Sequence, residues 1–248
     1  MIILGIDIGG SGMKAAKVNV TTGQIVSDRF RIATPKPATP DVVADTVCQI
    51  LDHFEWNGPV GVSFPTIVKN GKASSSGNLD KEWKKTRIDK LFSKRCGQEF
   101  FVVNDADAAG MAEMKYGAGK NKDGLVITIT IGTGLGSGVF FNGELLRNFE
   151  LGTVYGKDGK LIEIYAADSA RKREDLSYEE WGKRFNFFLK YIDRIMHPDL
   201  FILGGGVSKK MDRFEQYLTV KTPVVPAKNL NNAGIIGAAV FAADQILN

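Results

Sequence analysis

The feature that most constrains the fold is a strand, a glycine turn and a second strand, present near the start of the chain and again near its middle. Ile2–Ile8 is apolar and β-branched, and Gly9–Gly12 separates it from a second predicted strand, Met13–Val20. The pattern begins again with the strand Leu125–Ile131 and the glycine turn Gly132–Gly138. Helices and further strands follow each hairpin, so we expect two similar α/β halves with a cleft between them.

The remaining elements follow from apolar periodicity and from turn residues. Helices are predicted at 41–54, at 87–95, from 105 to near 117–119, at 177–196, from 208 onwards, and at 233–247. Strands are predicted at 24–32, 60–64, 100–103, 139–142, 200–203 and 223–225. Ser177, with Glu180 three residues later, forms a capping-box pattern, and Gly97 is expected to end the short second helix. Segments 65–85 and 145–169 are expected to be irregular.

Composition indicates a soluble globular protein, with 248 residues of which 44% are hydrophobic and 24% charged. No apolar run is long enough to cross a membrane and no signal peptide precedes the first strand, so we expect a cytoplasmic location. Cys48 and Cys96 lie far apart in sequence without a metal-type spacing, and we expect both to be reduced packing residues. The net charge of +4 fits an anionic substrate. The basic clusters are dispersed without interleaved aromatics, so no nucleic-acid partner is expected.

A polar pair, Asn104-Asp105, ends the predicted strand Phe100–Val103 just before a helix-forming run. The carboxyl end of a strand is where an α/β sheet opens into its crevice, and a carboxylate there can accept a proton from a substrate hydroxyl. Taken alone, Asp105 is more simply explained as the cap of the following helix. The glycine turns favour the catalytic interpretation.

Glycine turns can cradle phosphate oxygens with successive backbone N–H groups, because glycine allows close approach of the backbone to a ligand. One such turn is weak support for a ligand site, since hairpins use glycine routinely. Two equivalent turns in two similar halves are harder to explain in that way. A P-loop is excluded because its motif is absent, and a dinucleotide fingerprint is excluded because a strand follows each turn. Asp7, just before the first turn, either holds Mg²⁺ or caps the turn.

These motifs together resemble the ROK family of sugar kinases within the actin, Hsp70 and hexokinase superfamily. The resemblance is carried by Asp7–Lys14, Ile129–Gly138, Leu203–Ser208, Asn104-Asp105 and Glu150–Gly152. Further segments resemble the polyphosphate glucokinase branch, namely Gly61–Thr66, Gly77–Asp80 with Trp83, Asn104–Gly110, Leu203–Lys209 and Thr222–Ala227. Members of that branch phosphorylate glucose from inorganic polyphosphate, and some also use ATP.

The resemblance implies a two-lobed actin-like ATPase (ribonuclease H-like) fold of the hexokinase superfamily, α/β in class, with a central interlobe cleft. We expect an N-terminal lobe at 1–110 and a C-terminal lobe at 111–232. The last helix, at about 233–248, is expected to pack back on the N-terminal lobe. The resemblance further implies a homodimer.

The resemblance also assigns roles to individual residues. Asp105 is expected to be the general base. Asp107, two residues later, points to a different side of the predicted helix, so we read it as structural or as a helper. Substrate-binding residues are expected to be Gly77, Asn78, Asn104, Asp105, Glu150, Thr153 and Glu163. Phosphate-binding residues are expected to be Asp7, Gly9, Gly10, Ser11, Gly12, Lys14, Gly132, Thr133, Gly134, Gly204 and Gly205. Mg²⁺ is expected near Asp7, directly or through water.

The chain departs from the family pattern at two points. The closely spaced cysteines of the family's zinc site are absent, so no zinc is expected. Thr153 stands where the family has histidine, which leaves the identity of the sugar open. If polyphosphate is the donor, it requires a basic groove, and the candidate residues are Lys14, Lys84, Lys85, Lys115 and Lys120.

Phosphorylation of glucose has three rivals at this point. One is an ATP-dependent ROK kinase for another hexose. Another is a non-catalytic sugar-binding ROK protein, although an intact Asp105 and a first strand at residue 2, which leaves no room for a DNA-binding domain, argue against it. The third is an actin-like or chaperone-like ATPase, which does not need the Asn104-Asp105 pair.

Overall fold

A computed structural model describes residues 1–77, 79–156 and 158–247. The chain forms two compact α/β units, one made of Met1–Ala112 with Asn232–Asn248 and the other of Glu113–Asn231. Within the described ranges, no helix has the length and apolar character needed to cross a membrane.

The described residues form strands, α-helices and short 3₁₀ helices. The strands are β1 (Ile2–Ile8), β2 (Met13–Asn19), β3 (Gln24–Ile25), β4 (Phe30–Ile32), β5 (Val60–Phe64), β6 (Val68–Lys69), β7 (Lys72–Ala73), β8 (Phe100–Asn104), β9 (Leu125–Ile131), β10 (Leu135–Phe141), β11 (Glu144–Leu146), β12 (Leu200–Gly204) and β13 (Val224–Pro226). The α-helices are α1 (Pro40–His53), α2 (Ile88–Cys96), α3 (Asp105–Tyr116), α4 (Glu163–Ala166), α5 (Asp168–Arg173), α6 (Tyr178–Met196) and α7 (Ala233–Leu247). Short 3₁₀ helices lie at Lys81–Trp83, Leu151–Thr153, Gly206–Arg213, Glu215–Tyr217 and Leu230–Asn232.

The main sheets of the two units have the same pairing pattern. The first runs β3-β2-β1-β5-β8, with β4 also paired to β2, and the second runs β11-β10-β9-β12-β13. In each sheet the central strand, β1 or β9, is antiparallel to the next strand in the chain and parallel to a later one. The structural repeat expected from the two strand–glycine–strand patterns is therefore confirmed.

Helices cover both faces of the sheet in the first unit. On one face, α1 and α2 pack on an apolar core that includes Leu4, Ile6 and Val62. On the other face, α7 lies directly against β1 and β5 at glycine positions. A Cβ at Gly61 would overlap the Ala238 carbonyl, so this close approach of helix to sheet requires glycine.

The second unit is built around α6 and its aromatic side chains. Ser177 and Glu180 form the capping box expected from the sequence, with Ser177 Oγ accepting from the Glu180 N–H at 3.2 Å. Trp181 and Phe185, both fully buried, stack with ring centroids 5.3 Å apart. Phe201 of β12 belongs to the same core. This helix therefore covers one face of the second sheet.

Several local predictions differ from the structure. The strand after the second glycine turn begins at Leu135 rather than at 139, because Gly136 and Gly138 belong to β10 and the turn is shorter than expected. The expected helix from Ser208 is a pair of 3₁₀ segments. The segment 145–169 contains α4 and the beginning of α5. Short apolar stretches and glycines carry little periodic signal, which explains these errors.

The expectation that both cysteines are reduced is wrong. Cys48 of α1 and Cys96 of α2 form a disulfide, with their Cα atoms 5.2 Å apart. The two helices pack side by side in the first unit, which their separation of 48 positions in the sequence does not reveal.

The contact between α7 and the first sheet predicts that Gly61→Ala destabilises the protein. The added methyl would meet backbone atoms of Ala238, and overpacking of this kind reduces the free energy of unfolding by about 1–3 kcal/mol. Gly58→Ala is the matched control, because a Cβ there would make only ordinary contacts with the Trp56 ring, 3.6 Å or more away. Urea denaturation of both variants measures the difference, and equal stabilities would contradict the close packing.

Candidate active site

Asn104, at the end of β8, caps helix α3. Its side chain is 6% exposed, and its Oδ1 accepts from the N–H groups of Ala106 at 2.8 Å and Asp107 at 3.1 Å. These are the second and third residues of the helix, the partners that a capping side chain normally takes. The capping role that the sequence left open for Asp105 therefore belongs to Asn104.

Asp105 is the first residue of α3, and its carboxylate is reached by solvent. The surrounding protein nonetheless displaces much of the nearby water, and Asp7 adds electrostatic repulsion; these two effects, in that order, raise the pKa of Asp105 to about 6. The backbone N–H of Ala106, 2.9 Å from Oδ1, opposes the rise. A carboxyl group with this pKa is ionised at neutral pH and is a better proton acceptor than an ordinary aspartate.

Asp7 lies in a polar row that crosses the first sheet. The strand register aligns Ser63 of β5, Asp7 of β1, Lys14 of β2 and Arg31 of β4, so their side chains share one face. Ser63 Oγ donates to Asp7 Oδ1 at 3.1 Å, and Lys14 Nζ donates to Oδ2 at 3.2 Å. The Asp7 carboxylate is thereby held in place by a neighbour on each side.

The first glycine loop leaves its backbone donors available. Gly9 N–H donates to the Gly12 carbonyl at 3.1 Å, which closes the turn. Thr34 Oγ1 donates to the Gly9 carbonyl at 2.5 Å and so anchors the loop from outside. Among the described residues, no acceptor is bonded to the N–H groups of Gly10, Ser11 and Gly12. Donors of this kind can bind the oxygens of an anion.

The second glycine loop, in the second unit, is closed and anchored in the same way. Gly132 N–H donates to the Gly134 carbonyl at 3.1 Å. Ser169 makes two bonds to the loop, from Oγ to the Thr133 carbonyl at 2.6 Å and from its N–H to the Gly132 carbonyl at 3.1 Å. In the part of the chain that is described, the N–H groups of Thr133 and Gly134 have no acceptor.

Glu163 begins α4 and lies against this second loop. Its Oε2 accepts from the N–H of Leu135 at 3.2 Å, and the same oxygen occupies the space that a Cβ at Gly134 would take. A side chain at position 134 would therefore displace the carboxylate.

The third glycine cluster follows β12. Gly205 has a φ of 83°, and a Cβ there would overlap backbone atoms of Ile131. Ser208 Oγ donates to the Gly205 carbonyl at 2.8 Å. Gly204 is the last residue of β12, which is parallel to β9. The two residues of this cluster expected to bind phosphate, Gly204 and Gly205, therefore lie at the end of a parallel strand.

The remaining expected sugar-binding residues are placed as follows. Gly77 has a φ of 55° and donates its N–H to Ser75 Oγ at 3.3 Å, whereas Asn78 lies outside the described residues. In the second unit, Thr153 Oγ1 donates to the Glu150 carbonyl at 2.6 Å. The threonine hydroxyl is thus used within its own turn.

Three residues at these loops are not indicated by any sequence pattern. Thr34 anchors the first loop, Arg31 lies beside it, and Ser169 anchors the second. Each of the three lies well after its loop in the sequence. Arg31 falls in the predicted strand 24–32, Thr34 just after that strand, and Ser169 at the end of the segment expected to be irregular. The polar character of the strand residue Arg31 is the one signal that could have suggested a role.

A divalent cation fits this site only as a partner of bound phosphates. Within the described ranges, no group of three or more His, Cys, Asp or Glu side chains could hold a metal ion. Asp7 supplies one carboxylate, and Mg²⁺ is commonly bound by one or two carboxylates together with water and substrate phosphates.

Comparison with known proteins identifies relatives over nearly the whole chain. The model of the ROK family matches residues 3–153. The polyphosphate glucokinase of Mycobacterium tuberculosis H37Rv is 46% identical over 237 residues, which cover 95% of this chain and 89% of that protein.

Two solved structures are also similar. The inorganic polyphosphate/ATP-glucomannokinase from Arthrobacter sp. strain KM has a TM-score of 0.92 and 42% identity, covering 98% of this chain and 99% of that one. A ROK family glucokinase from Streptomyces griseus, in complex with glucose and AMPPNP, has a TM-score of 0.81 and 25% identity, with coverage of 98% and 100%.

The raised pKa of Asp105 predicts a pH-dependent gain in stability from Asp105→Asn. The folded state disfavours the ionised form, so the stability contributed by this group is complete below the pKa of the unfolded chain and is lost as pH rises through about 6. We therefore expect Asp105→Asn to raise the thermal midpoint at pH 8, by on the order of 2 °C after allowance for solvent screening, and to lose most of that gain at pH 4.

Calorimetry of the ligand-free protein at the two pH values measures this effect. Asp28→Asn is the control, because it removes an exposed aspartate from the same unit. If Asp105→Asn and Asp28→Asn behave alike at pH 8, the environment assigned to Asp105 is wrong.

Proposed function

This chain belongs to the ROK family, and we propose that it is a sugar kinase that transfers a phosphoryl group from inorganic polyphosphate or ATP to the 6-hydroxyl of glucose. The observation that carries the chemistry is the Asp105 carboxylate, which follows a parallel strand, has a pKa of about 6 and lies in the same unit as Asp7 and the first glycine loop. The choice of substrates rests on similarity to relatives named as polyphosphate glucokinase and glucomannokinase.

Asp105 acts as the general base. It accepts the proton of the sugar 6-hydroxyl as that oxygen attacks the terminal phosphorus of the donor, while the bond from phosphorus to the bridging oxygen breaks in line. The transferring group carries its own charge, so positioning and electrostatic stabilisation provide most of the acceleration. Asn104 supports this role, because its cap on α3 fixes the direction of the helix that begins at Asp105.

Backbone N–H groups bind the donor phosphates. In the first unit these are the unbonded N–H groups of Gly10, Ser11 and Gly12, and in the second those of Thr133 and Gly134. Preorganised donors of this kind stabilise charge without reorganising during the reaction. Gly9, Gly132, Gly204 and Gly205 give the loops their shape, and Lys14 adds a positive charge beside the first loop.

Asp7, together with the donor phosphates, would hold a divalent cation, which we propose is Mg²⁺. When bound, the cation would neutralise phosphate charge. Asp7 is suitable because Ser63 and Lys14 already orient its carboxylate.

We further propose residues that bind sugar hydroxyls, taking each unit by itself. We assign this role to Asn104 and Gly77 with Asn78 in the first unit, and to Glu150 in the second. Thr153, in place of the family histidine, has its hydroxyl bonded to the Glu150 carbonyl. This change favours a second candidate, the same reaction on another hexose, and mannose is the first to test because one similar structure is named a glucomannokinase.

Several broader expectations remain proposals. These are the lobe boundaries at 110 and 232, the homodimer, the direct sugar contact of Glu163 and the cytoplasmic location. The disulfide between Cys48 and Cys96 weighs against the last, because disulfides are rare in reducing compartments.

Asp105→Asn is expected to lower kcat for glucose phosphorylation by about 10²–10⁴-fold with little change in the KM for glucose, since a general base contributes about that much. The measurement is formation of glucose 6-phosphate with Mg²⁺ and either polyphosphate or ATP, repeated with mannose as acceptor. Asp28→Asn serves as the control. Turnover of Asp105→Asn within tenfold of the control would exclude Asp105 as the base, and no product from the unmodified enzyme with any pair of substrates would exclude the kinase function.

Ser169→Ala is expected to raise the KM for the donor by about fivefold, the effect of losing one hydrogen bond worth about 1 kcal/mol. The reason is that Ser169 Oγ anchors the Thr133 carbonyl and so fixes the direction of the neighbouring N–H groups. Ser169→Thr keeps the hydroxyl and should retain most of the activity. A change confined to the KM for glucose would show that the second loop does not bind the donor.

A further inference from the structure

Arg31, on β4, lies directly beside the first glycine loop. Its Nη2 donates to the carbonyl of Ser11 at 3.2 Å, and a Cβ at Gly12 would lie only 2.7 Å from the same nitrogen. The guanidinium therefore occupies the space that a side chain at position 12 would fill. It lies next to the N–H groups of the loop that have no acceptor among the described residues.

The charge of Arg31 is not balanced locally. It pairs in register with Lys14 across β2 and β4, and like charges placed directly opposite each other in a sheet are unfavourable. Asp7 forms an ion pair with Lys14 at 3.2 Å. In the described part of the chain, no carboxylate lies within ion-pair distance of Arg31, so the row ends in an excess positive charge.

The single hydrogen bond from Arg31 to the loop does not explain why the residue is an arginine. The bond to Ser11 uses one N–H donor, and the guanidinium has several others in a planar arrangement that matches phosphate oxygens. The side chain is exposed, so these donors are accessible to a ligand. A neutral side chain with an N–H group could brace the loop without placing a second cation opposite Lys14.

We propose that Arg31 binds a phosphate of the donor that is not transferred, and so extends the first glycine loop into a cationic site for a phosphate chain. This inference rests on the proposed function, which it deepens by naming a residue that recognises the donor. Inorganic polyphosphate offers no base or ribose, so its affinity depends on cations and N–H groups alone. ATP has additional groups to bind, so Arg31 matters more for polyphosphate than for ATP.

The test compares three variants of the full chain in direct binding of sodium polyphosphate at constant Mg²⁺, over a series of salt concentrations and without sugar. Arg31→Gln removes the charge but keeps a donor for Ser11, and Arg31→Lys keeps the charge. Lys17→Gln is the matched control for loss of one positive charge, because Lys17 lies on the opposite face of β2, with its Nζ 5.8 Å from the Trp56 ring centroid.

We expect Arg31→Gln to raise the Kd for polyphosphate about tenfold or more, as for loss of a charge-assisted hydrogen bond. The slope of log Kd against log salt should fall by about one, as for one lost phosphate contact. Arg31→Lys should keep most of that slope, and Lys17→Gln should resemble the unmodified protein. The KM for glucose should not change in any variant.

Two results would overturn the proposal. The first is a Kd for Arg31→Gln within twofold of that for Lys17→Gln. The second is weaker binding by both Arg31 variants with no change in the slope of log Kd against log salt. That result would show that Arg31 only braces the loop. Polyphosphate binding is measured without turnover, so its result does not depend on the kinase assay. Failure of the kinase assay would reject the proposed function, whereas the binding data would still test the role of Arg31.

Discussion

The candidate site depends first on the hydrogen bonds of Asn104 to the N–H groups of Ala106 and Asp107. These bonds end β8 and begin α3 within one residue, so the chain turns sharply at the carboxyl edge of a parallel strand. Asp105 then stands at that edge with its carboxylate free of the capping role. A different capping residue would change where the helix begins, and the direction of the carboxylate would change with it.

Asp7 links the electrostatic features of the first unit. Its negative charge is the second cause of the raised pKa of Asp105, and it forms the ion pair with Lys14. Because Lys14 is paired, the next residue of the row, Arg31, keeps an unbalanced charge beside the glycine loop. A single carboxylate thus makes its neighbour a better proton acceptor and leaves a cation available for phosphate.

In both units the glycine loop is anchored by a hydroxyl group from a later segment of the chain. Each glycine loop must hold its N–H groups outward without a ligand to organise them, and in each unit a hydroxyl from a later segment bonds to a loop carbonyl. Thr34 does this in the first unit and Ser169 in the second. The bonds leave the loop N–H groups free, which is the preorganisation that phosphate binding requires.

The sequence alone determined the two strand–glycine–strand repeats, the capping box at Ser177 and the position of Asp105 at a strand end, because local periodicity and turn chemistry encode these features. It did not reveal that Asn104 is the cap, that Cys48 and Cys96 are joined, or that Arg31 lies beside Gly12. Those depend on which distant segments pack together. Periodicity is a property of neighbouring residues, whereas sheet register and helix packing bring separated ones into contact, and only the tertiary structure decides them.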